Sequence, residues 1–294
     1  MKEEICMSEK DKIDTQEPKK DYLMPDDRKE MDDVPQVESD SYKPAGKMKG
    51  MNTIVTGADS GIGRATAIAF AKEGANVAIV DLEEKEDTDT IMERLDQLGV
   101  RALLFTGDVG DEAFVKETVQ NVVEEWGEIH VLVNNASEQH PQESILNVDA
   151  AQLDRTFRTN IFGMIYFARE TFPHMAESSS IINTTSVTAY KGSPGLMDYA
   201  ATKGAIVSFT RSLSQNEGIL EKKIRVNAVA PGPIWAPLIP ATIGSSLEEH
   251  GGVPLGRAGQ PYELAPAYVY LATADSSYVT GQTIHINGGT IVNG

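Results

Sequence analysis

The chain has 294 residues, 40% of them hydrophobic, enough to bury a substantial core in one large domain or two small ones. Its formal charge of -18 argues against nonspecific binding to nucleic acid or anionic membranes. Cys6 is the only cysteine, which excludes an intrachain disulfide and fits a reducing cytoplasm. No apolar run approaches the roughly 18 residues needed to cross a bilayer, and residues 1–20 lack the apolar centre of a secretory signal.

Residues 1–48 are rich in Lys, Asp and Glu and carry Pro18, Pro25, Pro35 and Pro44. No helical or strand period persists there. Such a stretch buries too little apolar area to offset its ordering entropy. It reads as an extended arm, partly disordered or laid over the body or a neighbouring subunit, with Tyr22, Leu23, Met24 and Pro25 as anchoring points.

From residue 49 the pattern becomes an alternation. An apolar run at 53–55 leads into Thr-Gly-Ala-Asp-Ser-Gly-Ile-Gly and a helical pattern through Glu73, stopped by Gly74. A second run, 77–80, ends in Asp81, completing a βαβ unit. A helix at 86–98, a strand at 102–106, a helix at 112–126 and a strand at 131–133 follow. One long helical stretch covers 150–175. A strand at 180–184, a helix at 199–216 and a strand at 225–229 come next, then a Pro/Gly-rich loop at 234–257. A helix at 261–274 and a strand at 283–286 close the chain. Seven short apolar strands alternating with helices predict an α/β, doubly wound Rossmann fold. Its sheet is parallel, with helices on both faces, in one domain spanning 49–294.

Gly57, Gly61 and Gly63 fall where a strand turns into a helix. Glycines there let the backbone bend and approach a pyrophosphate, which the helix N-terminus attracts. A glycine cluster alone is often only a loop, but the flanking strands and Asp81 agree with a dinucleotide. A carboxylate at Asp81 accepts from both adenosine ribose hydroxyls and repels a 2′-phosphate, which favours NAD over NADP. Arg64 is a counterweight, unless it is an ordinary exposed first-turn residue. Asp108 and Val109 end a strand on the same edge and suit the adenine, or form a plain strand-end turn. Asn134, Asn135 and Ala136 either line the ribose or cap a turn. His130 has no obvious partner and reads as structural. His140, His174, His250 and His285 are scattered without metal-ligand spacing, so no catalytic metal is expected.

Tyr199 and Lys203 are four residues apart, on one helix face. A fixed cation lowers a phenol's pKa from its usual value near 10, so the two read as an acid/base pair or as a packing pair. Ser186, after a buried strand, is placed to steady an oxygen whose charge changes.

The T-G-x-x-x-G-I-G turn, the N-N-A strand end, the distant Ser and Y-x-x-x-K together resemble the short-chain dehydrogenase/reductases over residues 50–292. Within that family the chain looks similar to bacterial general stress or glucose/ribitol dehydrogenase-like members with an N-terminal extension. The segments Gly-Ala-Asp-Ser-Gly-Ile-Gly-Arg-Ala and Tyr-Ala-Ala-Thr-Lys-Gly-Ala carry that likeness.

The resemblance implies that Tyr199 is the general acid/base and that Lys203 holds the nicotinamide ribose. Ser186 would bond the substrate oxygen, and Asn160 would help hold a relay water. It implies cofactor contacts from Gly57, Asp59, Ser60, Gly61, Ile62, Gly63, Asp81, Leu82, Asp108, Val109, Asn134, Ala136, Ser137, Tyr199, Lys203, Pro231, Gly232 and Ile234. Ala236 stands where the family often has a Thr that meets the carboxamide.

A homotetramer is implied, its C-terminus with Gly288 and Gly289 near an interface. The implied activity is hydride transfer between NAD, or NADP, and a small alcohol or carbonyl, with a polyol or sugar hydroxyl as a candidate. Two alternatives stand: an NAD-binding sensor or scaffold with little turnover, and an NADPH-dependent carbonyl or acyl-thioester reductase. Residues 234–257, 137–144 and 190–196 are expected to shape the substrate pocket, with Trp235, Leu238, Ile239 and Ile243 as a lid or as core. Gly195, Met197 and Asp198, beside Tyr199, are expected to decide specificity.

Overall fold

Strands covered on both faces must be apolar almost throughout, and the short runs of this chain meet that demand. In the computed structural model, which describes residues 34–83, 86–238 and 253–291, seven of them form one parallel sheet. They are β1 (Asn52–Thr56), β2 (Asn76–Asp81), β3 (Ala102–Thr106), β4 (Ile129–Asn134), β5 (Met175–Thr184), β6 (Arg225–Pro231) and β7 (Thr283–Ile286), in the order β3-β2-β1-β4-β5-β6-β7. The order reverses beside β1, where β1 pairs with both β2 and β4. In open α/β sheets a ligand crevice opens at that point, beyond the carboxyl ends of the strands.

Helices cover both faces. Described helices are α1 (Gly61–Lys72), α2 (Glu86–Gln97), α3 (Glu112–Trp126), α4 (Ala150–Phe157), α5 (Gly163–Thr171), α6 (Thr188–Lys191), α7 (Met197–Leu213), α8 (Glu217–Glu221) and α9 (Pro261–Ala272). One apolar core joins the sheet to α1, α2 and α9 through Phe70, Ile91, Leu95, Leu264 and Tyr268. The other joins it to α3, α5 and α8 through Val115, Val119, Val122, Phe167 and Ile219. No described helix is long and apolar enough to cross a membrane.

The expected single helix over 150–175 is interrupted. A five-residue π turn, Arg158–Phe162, separates α4 from α5, and a 3₁₀ turn at Phe172–His174, with Pro173 inside it, precedes β5. β5 starts five residues before the apolar run that announced it. Ile129 pairs with Met175 but Val131 with Ser180, so residues 176–179 bulge out of the ladder, and Ser178 takes a φ of 65°.

Residues 34–51 are laid against the body. Met48 is fully buried. The Tyr42 hydroxyl donates to Glu73 Oε1 at 2.6 Å, and the Ala45 and Lys47 amides donate to Glu73 Oε2 at 3.0 and 2.9 Å. Glu38 receives a two-pronged contact from Arg94 of α2 (2.8 and 2.9 Å) and lies 2.7 Å from the Lys72 ammonium of α1. Gln36 donates its amide to Gln260 at 2.8 Å and accepts from the Tyr262 amide at 3.1 Å. The anchoring residues expected at 22–25 lie outside the described residues.

Candidate active site

A cleft of about 570 Å³ opens at the sheet's switch point. At one end, Gly57 takes a φ of +64°, and a Cβ there would fall 2.8 Å from the Ala136 Cα. A Cβ on Gly63 would fall 1.9 Å from the Gly57 carbonyl oxygen. Backbone therefore lies against backbone at this turn, which only glycine permits. Ser60 caps α1 without a side-chain hydrogen bond, and the first turn holds no acidic residue. Its N–H groups are thus left to meet an anion in the cleft. Gly57, Asp59, Ser60, Gly61 and Ile62 line the cleft. Gly63 does not, because its place is in the packing of α1 onto the turn.

Asp81 and Leu82 line the cleft beside this turn, with Asp108 and Val109. The Asp81 carboxylate accepts from the Asp59 amide (3.0 Å) and the Leu82 amide (2.8 Å). Burial, then the Asp59 carboxylate facing it, pushes its pKa up to about 7. Arg64 is not the exposed first-turn residue it resembled. It is 5% exposed, and its guanidinium donates to the carbonyls of Asp59 (2.9 Å) and Asp87 (3.1 Å).

Asn134 is turned away from the cleft and donates to Asn183 Oδ1 at 2.9 Å inside the sheet. The next residue, Asn135, lines the cleft, and its amide donates to the carbonyls of Thr56 and Gly57 at 3.1 and 2.9 Å. Ala136 and Ser137 follow on the wall. Asn160, inside the π turn, is also off the wall. Its Oδ1 accepts from Ser137 Oγ (3.0 Å) and the Glu138 amide (2.9 Å), and its Nδ2 donates to the Glu138 carbonyl (3.0 Å) and Thr202 Oγ1 (3.1 Å).

Ser186, Tyr199 and Lys203 converge on the other end of the cleft. Thr185 and Ser186 leave the end of β5, whereas Tyr199 and Lys203 share one face of α7. Tyr199 and Ser186 line the same stretch of wall, and the Ser186 Oγ accepts from the Thr188 amide at 3.1 Å. The Lys203 ammonium donates to the Thr184 carbonyl at 3.1 Å and lies 5.1 Å from the Tyr199 ring centroid. Burial moves both groups from their ordinary values: Tyr199 is raised to about 12, only partly opposed by the neighbouring Ser186 hydroxyl, and Lys203 is lowered to about 7. Burial dominates the phenol, and Lys203 is not among the groups that shift it. Pro231, Gly232, Ile234 and Ala236 complete this wall, and the Ala236 methyl sits where a Cβ on Gly61 would meet it at 3.0 Å.

Beyond Tyr199 the wall is formed by Glu138, Gln139, Arg155, Lys191, Ser193, Leu196 and Leu238. Asp198 is not among them. It is buried in the first turn of α7 and faces α4, accepting from Gln152 Nε2 (3.0 Å) and Thr156 Oγ1 (2.8 Å). Gly195 and Met197 are likewise off the wall, and the Gly195 carbonyl holds the Gln142 amide at 2.9 Å. Trp235 is fully buried, hence core. Ile239 and Ile243 lie outside the described residues. His130 does have a partner, since its Nδ1 accepts the Asn52 amide at 3.1 Å and ties β4 to β1. Among the described residues no three His, Cys, Asp or Glu side chains group so as to hold a metal ion.

Residues 57–290 match the family described as Enoyl-(Acyl carrier protein) reductase. General stress protein 39 of Bacillus subtilis is 50% identical over 90% of this chain and 92% of its own length. NADPH-dependent aldehyde reductase 1, chloroplastic, of Arabidopsis thaliana is 46% identical over 94% of this chain and 98% of its own. A crystal structure of the short-chain dehydrogenase/reductase named glucose/ribitol dehydrogenase from Brucella melitensis superimposes with a TM-score of 0.77, at 34% identity, over 84% of this chain and 99% of that one. The matching fold and the near full-length likeness agree: this chain belongs to the short-chain dehydrogenase/reductase family of oxidoreductases.

Proposed function

We propose that the chain is an NAD-preferring oxidoreductase of the cytoplasm that interconverts a secondary alcohol, of a polyol or sugar, with the corresponding carbonyl. The observation that carries this reading is the convergence of Ser186, Tyr199 and Lys203 on one end of the cleft, with the Lys203 ammonium 5.1 Å from the Tyr199 ring centroid, while the far end holds Asp81. The glycine cradle and the uncapped start of α1 fit a pyrophosphate, and the acceptor oxygens of Asp81 fit ribose hydroxyls.

A bound nicotinamide dinucleotide supplies the site that accepts or gives up hydride. Tyr199 takes the hydroxyl proton in oxidation and returns it in reduction. Ser186 holds the same substrate oxygen, which fixes the reacting carbon. Burial makes the protonated phenol the resting form of Tyr199, so proton removal needs added positive charge in the site. Lys203 is poised to supply part of it, since its own value near 7 lets it charge and discharge near neutral pH. Asn160 positions the loop that carries Ser137 and Glu138.

The cofactor preference rests on Asp59 and Asp81, two facing carboxyl groups where a 2′-phosphate would have to sit. The name of the Arabidopsis relative favours a second reading, an NADPH-dependent aldehyde reductase. Dissociation constants for NAD and NADP, in wild type and Asp81→Ala, decide between them. The polyol assignment draws on the name of the Brucella structure. A homotetramer is part of the proposal and is tested by light scattering.

The central test is Tyr199→Phe. Turnover should fall by roughly 10²- to 10⁴-fold, the range of general acid–base catalysis, with NAD binding largely kept. Substantial remaining turnover would sink the assignment. Tight NAD binding by wild type with no turnover across a panel of alcohols and carbonyls would point instead to a sensor.

A further inference from the structure

Glu138 is an acid on the cleft wall that the proton-handling set does not use. It is 4% exposed, and its main chain is clamped at both ends by one side chain: its amide donates to Asn160 Oδ1 at 2.9 Å and its carbonyl accepts from Asn160 Nδ2 at 3.0 Å. The same Nδ2 reaches Thr202, whose hydroxyl donates to the Tyr199 carbonyl at 2.7 Å. The position of Glu138 is thereby tied to that of the reacting tyrosine.

Its carboxylate is only half satisfied. Oε2 accepts from Arg155 Nε at 3.0 Å, whereas the buried Oε1 has no hydrogen-bond partner among the described residues; His140 Nε2 lies 3.6 Å from it. Arg155 lines the cleft too, with a 40% exposed side chain, and Nε is the one guanidinium donor engaged among the described residues. A carboxylate oxygen buried without a donor is costly. A ligand hydroxyl relieves that cost by donating to Oε1 while its own oxygen accepts from the free N–H groups of Arg155.

We propose that Glu138 and Arg155 form a second recognition point that reads a hydroxyl on a neighbouring carbon of the substrate, committing the enzyme to polyhydroxylated substrates over monofunctional alcohols and ketones. The inference rests on the alcohol–carbonyl reading above and names the residues that set its substrate class. A bland alternative is that the pair only braces residues 137–142 against α4, in which case its loss would affect every substrate alike.

The test compares kcat/KM for ribitol and D-glucose with that for cyclohexanol, in wild type and Glu138→Gln, alongside melting temperature. The polyhydroxyl-to-cyclohexanol ratio should fall at least tenfold, with most of the change in KM. A ratio altered by less than about threefold, or a parallel loss on all substrates with a lowered melting temperature, overturns the proposal. Should Glu138→Gln fail to fold, Arg155→Lys keeps the charge, removes the fork and enters the same comparison. If wild type oxidises no alcohol and reduces no carbonyl with either cofactor, the enzymatic reading itself has failed. Calorimetry of ribitol and D-glucose binding to the NAD-loaded protein then decides. Binding weakened tenfold in Glu138→Gln supports the recognition point, and equal or absent binding overturns it.

Discussion

The Lys203 ammonium gives its hydrogen bond to the Thr184 carbonyl and lies 5.1 Å from the Tyr199 ring centroid, so this cation is held beneath the phenol by packing. Its effect on stability has a definite sign. An unfolded lysine keeps its proton to about pH 10.5, while the buried one loses it near 7. Between those values unfolding takes up a proton, so this group makes the protein more stable as pH rises, with a limiting slope of about 1.4 kcal/mol per pH unit. We predict that Lys203→Met is the more stable protein at pH 7 and that its advantage shrinks toward pH 10. Urea unfolding without cofactor across that range measures it. A constant difference would contradict the burial of a titrating ammonium.

Asp81 gives a slope of the opposite sign. Its folded value near 7 lies above the ordinary carboxyl value of 3.8, so the folded state holds a proton that the unfolded state has lost. The stabilisation is present below pH 3.8 and lost as pH rises through 7. Asp81→Asn should therefore gain on wild type between pH 4 and 7 in the cofactor-free protein, while losing affinity for NAD at every pH. Denaturant midpoints and NAD titrations separate the two effects.

Gly63→Ala should be severe, since its Cβ would stand 1.9 Å from a carbonyl oxygen and 2.7 Å from Asn135 Nδ2. The turn must open to admit it. We expect NAD affinity to fall by at least tenfold and melting to drop by several degrees, or soluble protein to be lost. Alanine at Gly204, where a Cβ would meet nothing within 4 Å, is the matched control in α7 and should leave stability near that of wild type.

Glu38→Gln should cost at most about 1 kcal/mol of stability, the upper end for a solvent-screened ion pair. Arg94, with Lys72, holds the Glu38 carboxyl down at about 2. The stabilisation is therefore present above the ordinary value of 4.5 and lost as pH falls toward 2. The difference between wild type and variant in chemical unfolding should be full at pH 6 and shrink below pH 4.

Much of this architecture was legible because strands buried on both faces announce themselves. The strands at 102–106 and 283–286 match their apolar runs end to end. β5 did not, because Glu177 and Ser178 loop out of the ladder and hide its first residues under a polar signal. The π turn at 158–162 left no mark, since a single wide turn barely disturbs helical periodicity, and the stretch ends early in the 3₁₀ turn that holds Pro173. α6 and α8 are too short to show a period at all. In the site, helical spacing was enough to bring Tyr199 and Lys203 together. What pattern could not reveal was which way an amide turns: Asn134 faces the sheet and Asn135 the glycine turn. Burial was equally silent in the string of letters, so Arg64 passed for a surface residue and Asp198 for a wall residue.

The contact between Gln36 and α9 has a consequence for the order in which the molecule is made. Gln36 bonds Gln260, 224 positions later, and the Tyr262 amide bonds back to Gln36. On the ribosome residues 38–48 can settle on α1 and α2 early, but Gln36 must wait until nearly the whole chain has emerged. Closing so distant a contact is slow, so the seam between the two ends of the chain should be among the last parts of a newborn molecule to set.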